Sequence, residues 1–246
     1  MTDNAIKSKI YDKLPLIYNH LMSKVNYSFW AGYIYSLVKE DAARNSPVLE
    51  LGAGNCNLSN HFHFYFPNLL ATDISKNMLL SDDSALTSKV CCDMTMLPFK
   101  SKFDIIYCCF DSVNYLTSRK KLSAMFKQVS GLLSDKGIFT FDASLEKNSL
   151  LCAKVPERKG SYKGIKFTQK SEYDIKTKIH KNTFLIRLKP GEIFSEVHNQ
   201  KIYSFETYFE LLELSGLWVK NCYETFSYKE GSASSQRVQF ITKKVN

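Results

Sequence analysis

A short apolar run that turns directly into two glycines is the most restrictive feature of this sequence. Val48–Leu51 is followed at once by Gly52-Ala53-Gly54. The run predicts a buried strand, and glycine permits the sharp turn and close backbone approach that lead into a helix. Predicted strands and helices then alternate, which is typical of an α/β fold with a parallel sheet. The strands are predicted at Val48–Leu51, Leu69–Thr72, Lys89–Cys92, Phe103–Phe110 and Gly137–Asp142, and the helices at Cys56–Tyr65, from Ser75 and at Lys120–Leu133.

The two ends of the chain flank this alternating region with other patterns. Apolar residues at helical spacing predict helices over Ser8–Met22 and Tyr27–Asp41. After Asp142, alternating polar and apolar residues predict an antiparallel meander, followed by a helix and two strands. The meander is predicted at Tyr162–Tyr173, Lys178–Leu188 and Glu192–Tyr203 with turns at Asp174–Thr177 and Pro190-Gly191, the helix at Phe205–Ser215, and the strands at Trp218–Tyr228 and Arg237–Lys243. We therefore expect N-terminal helices over residues 1–45, a core over 46–145, an antiparallel insertion over 146–203, and a C-terminal helix with the last two strands over 204–246.

Aspartates end the two strands that follow the glycine turn. Asp73 lies 21 residues after Gly52, and Asp93 ends the next strand. A carboxylate at the first position can accept hydrogen bonds from both hydroxyls of a ribose, and the second can meet an adenine. Asn57 stands where a dinucleotide-binding turn needs its third glycine, so NAD is disfavoured. The pattern predicts an adenosine cofactor at the carboxyl edge of the sheet, while Asp73 as a helix cap and Asp93 as an ordinary loop residue remain open.

These segments resemble the class I S-adenosylmethionine-dependent methyltransferases. The resemblance is carried by E-L-G-A-G-N, A-T-D-I-S-K-N-M-L, C-C-D-M-T-M-L-P-F and F-D-I-I-Y-C-C-F-D-S-V-N-Y-L, which stand in the family's order over about residues 46–145. The outer segments L-I-Y-N-H-L-M-S-K-V-N-Y-S-F-W and E-V-H-N-Q-K-I-Y look like the branch of small-molecule and amino-sugar N-methyltransferases. Cys56, where glycine is usual, and Asn19, where aspartate is common, depart from the pattern. The resemblance implies a Rossmann-like fold with a mostly parallel seven-stranded sheet, helices on both faces and an antiparallel β insertion that acts as a lid.

The same resemblance implies a set of residues that bind S-adenosylmethionine. The glycine loop would lie beside the methionine portion, Asp73 on the ribose, and Phe110 near the sulfonium. Tyr18 and Trp30 would close over the cofactor, although both could equally be core aromatics. The full expected set is Tyr18, Trp30, Glu50, Gly52, Ala53, Gly54, Asp73, Ile74, Met78, Asp93, Met94 and Phe110.

Methyl transfer from a sulfonium mainly requires alignment of donor and acceptor and exclusion of water. An amine acceptor asks little of a general base, and the candidates for a catalytic role are His198, Asp111 and Tyr18. Cys109 is disfavoured as a covalent nucleophile because its doublet reads as the interior of a strand. No metal is expected, since the seven cysteines contain no C-x-x-C spacing.

Charge in this sequence is concentrated in the predicted insertion. The chain carries a net charge of +9, and residues 154–189 hold eleven basic and three acidic side chains. Such a segment would suit an anionic small substrate or nucleic acid, or it is simply a solvated face. Composition is that of a soluble globule, and no apolar run is long enough for a membrane span or signal peptide, so we expect a cytoplasmic protein.

These observations favour one function and leave two others open. The favoured one is methylation of a small molecule, most readily at an amine nitrogen such as that of a nucleotide-linked amino sugar. The absence of an N-P-P-Y loop makes nucleic acid the less favoured acceptor, although an RNA or DNA methyltransferase that uses the basic insertion stays open. A non-catalytic protein that binds an adenosine cofactor is the third possibility. The sequence leaves monomer and homodimer equally open.

Overall fold

Two β-sheets and seven α-helices make up the computed structural model, which describes residues 5–82, 84, 86–155, 157–189 and 191–245. A 3₁₀ helix, Ser112–Tyr115, follows β5. In chain order the elements are β1 (Ile6–Lys7), α1 (Pro15–Leu21), α2 (Tyr27–Val38), β2 (Val48–Leu51), α3 (Asn57–Phe62), β3 (Leu69–Asp73), α4 (Lys76–Leu80), β4 (Ser88–Cys91), β5 (Phe103–Cys108), α5 (Arg119–Leu132), β6 (Leu133–Ser144), α6 (Glu146–Cys152), β7 (Glu157–Tyr162), β8 (Ile165–Asp174), β9 (Ile179–Lys189), β10 (Glu192–Lys201), α7 (Phe205–Glu213), β11 (Leu217–Glu224) and β12 (Arg237–Lys244).

The larger sheet has seven strands in the order β11-β12-β6-β5-β2-β3-β4. Its five strands from β6 to β4 are parallel, whereas β12 pairs antiparallel with β6 and β11 antiparallel with β12. The expected α/β fold with a mostly parallel seven-stranded sheet is confirmed. The glycine turn follows β2, in the middle of the sheet, where ligands bind in folds of this type.

Alternation along the central strands explains why helices cover both faces of this sheet. On β5, Ile106 and Cys108 belong to one buried cluster, and Ile105 and Tyr107 belong to the other. The first cluster is closed by α5 and α7, and the second by α2 and α3. A strand that is buried on both faces reads as a continuous apolar run, which is why these strands could be located from sequence.

The smaller sheet has five strands in the order β1-β10-β9-β8-β7. It is antiparallel except that β1 pairs parallel with β10. The chain leaves the larger sheet after β6 and builds four of these strands before it returns at α7, and β1 comes from the N-terminal region. The sequence predicted three of the strands and missed β1 and β7. The β7–β8 hairpin turns at Lys163-Gly164, where both residues have positive φ, as the common two-residue hairpin turn requires.

The predicted helix over Ser8–Met22 is wrong in its first half. Residues 8–14 are not helical, and α1 begins only at Pro15, which lacks an N–H and so fits the first turn of a helix. Tyr11 has φ +58°, and the backbone N–H groups of Ser8 and Leu14 bond to the smaller sheet. Residues 5–14 therefore form a short strand followed by turns along the smaller sheet, and we call this segment the N-terminal strap.

Smaller differences lie at the ends of predicted elements. β5 ends at Cys108, and Phe110 and Asp111 turn away with left-handed backbone conformations. The 3₁₀ helix and α6 had no counterpart in the sequence reading, and the helix predicted over Cys56–Tyr65 is shortened to α3. Of the predicted turn at Pro190-Gly191, Pro190 lies outside the described residues.

Candidate functional site

The glycine loop connects β2 to α3 at the carboxyl edge of the larger sheet. Gly52 and Gly54 have φ values of +67° and +58°, which residues with a side chain rarely adopt. A Cβ on Gly52 would lie 2.8 Å from the Cβ of Ser112, so the close approach of the two loops also requires glycine. The N–H of Ala53 donates to the carbonyl of Thr72 at 2.8 Å and holds the loop against β3.

Cys56 occupies the end of this loop in a left-handed conformation, with φ +59° and no exposed surface. The methyltransferases that the sequence resembles usually have glycine at this position, and the backbone keeps the conformation that glycine favours. Burial raises the pKa of the Cys56 thiol to about 12, so the group stays neutral. The departure from the family pattern therefore leaves the course of the loop unchanged.

Asp73 at the end of β3 ties the glycine loop to the next one. One carboxylate oxygen accepts from the N–H of Gly54 at 2.8 Å, and the other accepts from the N–H of Ser75 at 2.7 Å. Burial raises the pKa of Asp73, while these backbone donors oppose the increase. The side chain that caps α4 belongs to Ser75, which accepts from the N–H of Met78. Each oxygen of Asp73 retains a lone pair that can accept from a ribose hydroxyl.

The other residues predicted to contact the adenine lie at the same edge of the sheet but differ in burial and in their hydrogen bonds. Ile74 is exposed, whereas Met78 is buried with its methyl carbon 3.2 Å from where a Cβ on Gly54 would lie. Asp93 accepts from the N–H and hydroxyl of Thr95 at 2.7 and 2.8 Å, so one of its oxygens orders its own loop. Met94 reaches back toward Gly52. The structure brings all four to the edge where Asp73 stands.

Glu50 is turned into the protein interior beside the glycine loop. Its side chain is 2% exposed and accepts hydrogen bonds from Ser59 and, at 2.7 Å, from Tyr107. Burial raises its pKa to about 7, although the two hydrogen bonds act in the opposite direction. These contacts hold Glu50 in the interior next to the glycine loop, where it supports the loop. Its contact with a cofactor stays a prediction.

Aromatic rings gather at the tip of β5. Phe110 lies 4.5 Å from the ring of Trp30 and 5.5 Å from that of Tyr27, measured between centroids. Phe226 also packs against Trp30, edge-on and with 4.5 Å between the ring centroids. Trp30 is thus a member of a packed aromatic cluster that adjoins the place expected for the sulfonium, so both readings of Trp30 are compatible with its position.

Helix α1 is tied to the glycine loop by Asn19. Its side-chain oxygen accepts from the side-chain amides of Asn55 at 2.6 Å and Asn57 at 3.1 Å. The neighbouring Tyr18 is close enough to Asp73 and Asp111 for both charges to raise its pKa, although burial is the larger cause. Tyr18 therefore stays protonated at neutral pH and can act as a hydrogen-bond donor.

His198 on β10 belongs to a buried network that sequence reading did not anticipate. One ring nitrogen lies 3.3 Å from the hydroxyl of Tyr115 and the other 3.4 Å from the carboxylate of Glu196. Tyr11 donates to Tyr115 at 2.9 Å, and Glu196 also accepts from the backbone of the N-terminal strap. Because β-strand alternation puts Glu196 and His198 on one face, the spacing E-V-H was the available signal. His198 is 1% exposed, which suits an orienting role better than proton transfer to a substrate.

Asp111, just after the end of β5, accepts hydrogen bonds from one guanidinium and one amide side chain. Arg237 donates to it at 2.6 Å and also to Asp142, and Gln200 of the smaller sheet donates to it as well. The N–H of Asp111 donates to Asp142 at 2.9 Å. Asp142 and Arg237 come from strand ends that are distant in sequence, so no local motif could have joined them. A carboxylate engaged in this way is a poor general base, and a catalytic role for Asp111 stays a prediction.

The site as a whole fits a nucleoside that carries a positively charged sulfur. The two positive-φ glycines bring backbone amides to the carboxyl edge, Asp73 presents two acceptors there, and carboxylates and aromatic rings adjoin the far end. Within the described ranges, no group of three histidine, cysteine or acidic side chains is arranged to hold a metal ion. The fold and this crevice define a class I methyltransferase architecture.

Comparison with known proteins agrees with this architecture. The protein family described as a methyltransferase domain matches residues 48–137. YqeM of Bacillus subtilis (strain 168), named as a candidate methyltransferase, is 26% identical over 96% of this chain and 97% of its own. The crystal structure of an S-adenosylmethionine-dependent methyltransferase from Clostridium acetobutylicum ATCC 824 superposes with a TM-score of 0.79 at 24% identity, covering 96% of this chain and 99% of that one. The sugar N-methyltransferase KedS8 from Streptoalloteichus sp ATCC 53650 gives 0.73 at 15% identity, covering 92% and 91%.

Residues 48–137 form a methyltransferase domain, and the chain as a whole has the fold of the S-adenosylmethionine-dependent methyltransferases. The matched family covers β2 to the early part of β6, which includes the glycine loop, Asp73 and Asp93. No helix in the described part of the chain is long and apolar enough to cross a membrane.

Proposed function

We propose that this methyltransferase transfers a methyl group to an amine nitrogen of a small molecule bound beneath the smaller sheet. One end of that sheet is fastened over the strand tips of the larger one. Gln200 donates to Asp111, Tyr115 meets His198, and the side chain of Asn114 donates to the carbonyl of Lys201 at 2.8 Å. These contacts bring one end of the smaller sheet next to the carboxyl edge of the larger one, and we place the acceptor between the two.

The inner face of the smaller sheet carries mainly uncharged polar groups near the tips. Gln169 bonds to Asn182 at 3.0 Å, and Ser171 lies 2.9 Å from His180. Burial lowers the pKa of His180, so its ring is neutral at pH 7. Hydroxyls and amides of this kind suit the hydroxyl groups of a sugar.

The proposal of a small acceptor with few charges is supported most strongly by the strand register, which puts most of the cations on the outer face of the smaller sheet. Most cations of residues 154–189 that lie on strands occupy the outer face, opposite to the buried Phe167 and Phe184, and are at Lys159, Lys166, Lys170, Lys181 and Arg187. Arg158 lies opposite Gln169 and so shares the inner face. Burial raises the pKa of the Cys152 thiol on α6 and the charge of Arg158 opposes this, which puts the exposed guanidinium on the side of the sheet that α6 occupies. One cation on this face would suit the phosphate of a nucleotide-linked amino sugar.

Methyl transfer to an amine depends more on how the protein positions donor and acceptor than on acid–base groups. S-adenosylmethionine would supply, when bound, a methyl group on a cationic sulfur for a neutral acceptor nitrogen, whose surplus proton would pass to solvent. Tyr18, Trp30 and Phe110 would exclude water from that point, and the glycine loop with Asp73 would fix the donor end. The proposed roles of Ile74, Met78, Asp93 and Met94 are to enclose the adenine.

Related folds with known acceptors are consistent with nitrogen methylation. KedS8 is a sugar N-methyltransferase, and MtfA is a glycopeptide N-methyltransferase that was solved with sinefungin. At 15% identity each shares the fold with this chain.

The test is release of S-adenosylhomocysteine in the presence of a panel of amines, amino sugars, nucleotide-linked amino sugars, RNA and DNA. We expect turnover with a small amine and a product whose mass increases by one methyl group on nitrogen. Arg158→Ala should raise KM for the acceptor, whereas Lys170→Ala, on the outer face of the same sheet, should leave it unchanged. Transfer only to nucleic acid, with losses shared among the outer-face lysines and a steep dependence on salt, would replace this proposal by the nucleic-acid alternative.

A further inference from the structure

Two carboxylates share a single guanidinium at the tips of β5, β6 and β12. Arg237 donates one nitrogen to Asp111 and the other to Asp142. Asp142 has no exposed surface, and the side chains of Asp111 and Arg237 are 17% and 24% exposed. The other side chain bonded to the group is the neutral amide of Gln200. With both acids ionised, this trio, which we call the acidic tip cluster, carries a net charge of −1.

An acceptor atom in the cluster lacks a donor. The second carboxylate oxygen of Asp142 is buried and has no hydrogen-bond partner among the described residues. Gln239, which faces Asp142 across the β6–β12 pair, likewise has a buried side-chain oxygen without a partner. Directly opposed residues share a face of the sheet, so two unsatisfied acceptors occupy the same region. Buried acceptors without donors are costly, and they indicate a place for a donor or a cation.

The cluster adjoins the reacting end of the crevice. Asp111 directly follows Phe110, whose ring packs on Trp30, and its N–H donates to Asp142. An ion pair that served only stability would need one carboxylate for one guanidinium, since a second buried negative charge costs free energy. A donor bound with its sulfur toward Phe110 would have this excess negative charge beside its reacting end.

We propose that Asp142, with Asp111 and Arg237, makes the reacting end of the crevice selective for ligands that carry a positive charge there. The proposal rests on the proposed function, because it assumes that the donor lies with its sulfur toward Phe110. The ligand chemistry is a cationic centre, either the sulfonium of the donor or an ammonium at the same place. The cluster thereby favours release of the neutral product S-adenosylhomocysteine over loss of unreacted S-adenosylmethionine. Asp142 acts as a positioning and selectivity residue in this account.

The experiment compares three ligands by calorimetry on the full chain: S-adenosylmethionine, neutral S-adenosylhomocysteine, and sinefungin, which carries an ammonium in place of the methylsulfonium. We expect the parent protein to prefer both cationic ligands. Asp142→Asn and Asp111→Asn each remove one negative charge and should reduce the preference about fivefold or more, mainly by weakening the cationic ligands. If only the affinity for sinefungin falls, the cluster recognises an ammonium. If the affinity for S-adenosylmethionine falls as well, it recognises the sulfonium.

Two further variants separate charge from structure. Arg237→Gln breaks the same ion pairs without removing a negative charge, so the preference for cationic ligands should not decrease. Asp104→Asn makes the matched change at the opposite end of β5, where Asp104 accepts from Ser46 and Ser134 at 2.7 Å, and should leave all three affinities unchanged. Equal weakening of all three ligands in every tip variant would overturn the proposal and make the cluster purely structural. Failure of the parent to bind any of the three would instead contradict the proposed function.

Discussion

Asp73 and Glu50 are buried carboxylates on neighbouring strands. Their surroundings differ, so Asp73 can bind a ligand whereas Glu50 stabilises the interior. Asp73 accepts from backbone N–H groups of two loops at the carboxyl edge, where lone pairs remain for a ligand. Glu50 accepts from Ser59 and Tyr107 inside the sheet and helix layer. Sequence position identified Asp73 because a strand end is visible in the pattern. The inward direction of Glu50 depends on packing with α3 and could not be predicted.

Replacing Asp73 by alanine tests its role in cofactor binding. The change removes the acceptor of two ribose hydrogen bonds, each worth about 1.5–3 kcal/mol when one partner is charged, so affinity should fall at least tenfold. Calorimetric titration with S-adenosylhomocysteine measures the loss, and Asp104→Ala at the opposite sheet edge serves as the control. An unchanged dissociation constant would show that Asp73 only organises the two loops.

Glu50 predicts a pH dependence of stability with a defined sign. Its pKa is raised from 4.5 to about 7 in the folded protein, so the folded state holds this proton more tightly than the unfolded state does. The contribution to stability is complete below about pH 4.5 and is lost as pH rises to about 7 and beyond. Glu50→Gln cannot lose a proton, so its free energy of unfolding relative to the parent should increase by about 2–3 kcal/mol between pH 5 and pH 8.5. Urea titrations at the two pH values measure this difference, and an unchanged difference would contradict the assignment.

Among the elements, the N-terminal strap differs most from its sequence prediction. Local spacing favoured a helix over its residues, but tertiary contacts hold the strap as a short strand followed by turns. β1 pairs with β10, the N–H of Leu14 donates to Glu196 at 3.0 Å, and the hydroxyl of Ser75 donates to the carbonyl of Tyr11 at 3.3 Å. The strap thus connects the smaller sheet to the loop that follows Asp73. A reading of local periodicity cannot detect partners that are more than sixty residues away.

Glu196→Ala should release the strap from the smaller sheet. It leaves the N–H groups of Lys13 and Leu14 and the ring of His198 without their acceptor, at a cost of about 1–3 kcal/mol for each buried group. Hydrogen exchange followed by mass spectrometry should show faster exchange over residues 8–21, with the seven-stranded sheet unchanged. Glu192→Ala, at the exposed start of the same strand, is the control. Equal protection of residues 8–21 in both variants would show that the strap is held by other contacts.

Acid should loosen the same contact in the parent protein. Burial raises the pKa of Glu196, but hydrogen bonds from His198, Lys13 and Leu14 outweigh this and leave the pKa below its ordinary value of 4.5. The carboxylate therefore stabilises the fold above about pH 4.5, and this contribution is lost as pH falls further. The pH dependence of strap protection should disappear in the Glu196→Ala variant.

At the scale of the whole molecule, the sequence predicted the features that depend on the residues of one strand and the turn after it. The α/β order, the mostly parallel seven-stranded sheet and the strand-end positions of Gly52 and Asp73 follow from continuous apolar runs and turn residues. Side chains that meet from distant strands were not predictable, and Arg237 with Asp142 is the clearest case. The same limit explains why the basic segment looked like a single patch in sequence. Strand alternation places most of its strand cations on one face and Arg158 on the other.

The central claim is that this chain binds S-adenosylmethionine through the crevice at the carboxyl edge of its larger sheet. Calorimetric titration of the intact protein with S-adenosylmethionine, S-adenosylhomocysteine and NAD tests it most directly. We expect saturable binding of both sulfur ligands at one site per chain, lost or strongly weakened in Asp73→Ala, and no binding of NAD. Measurable affinity for NAD together with no response to either sulfur ligand would contradict it.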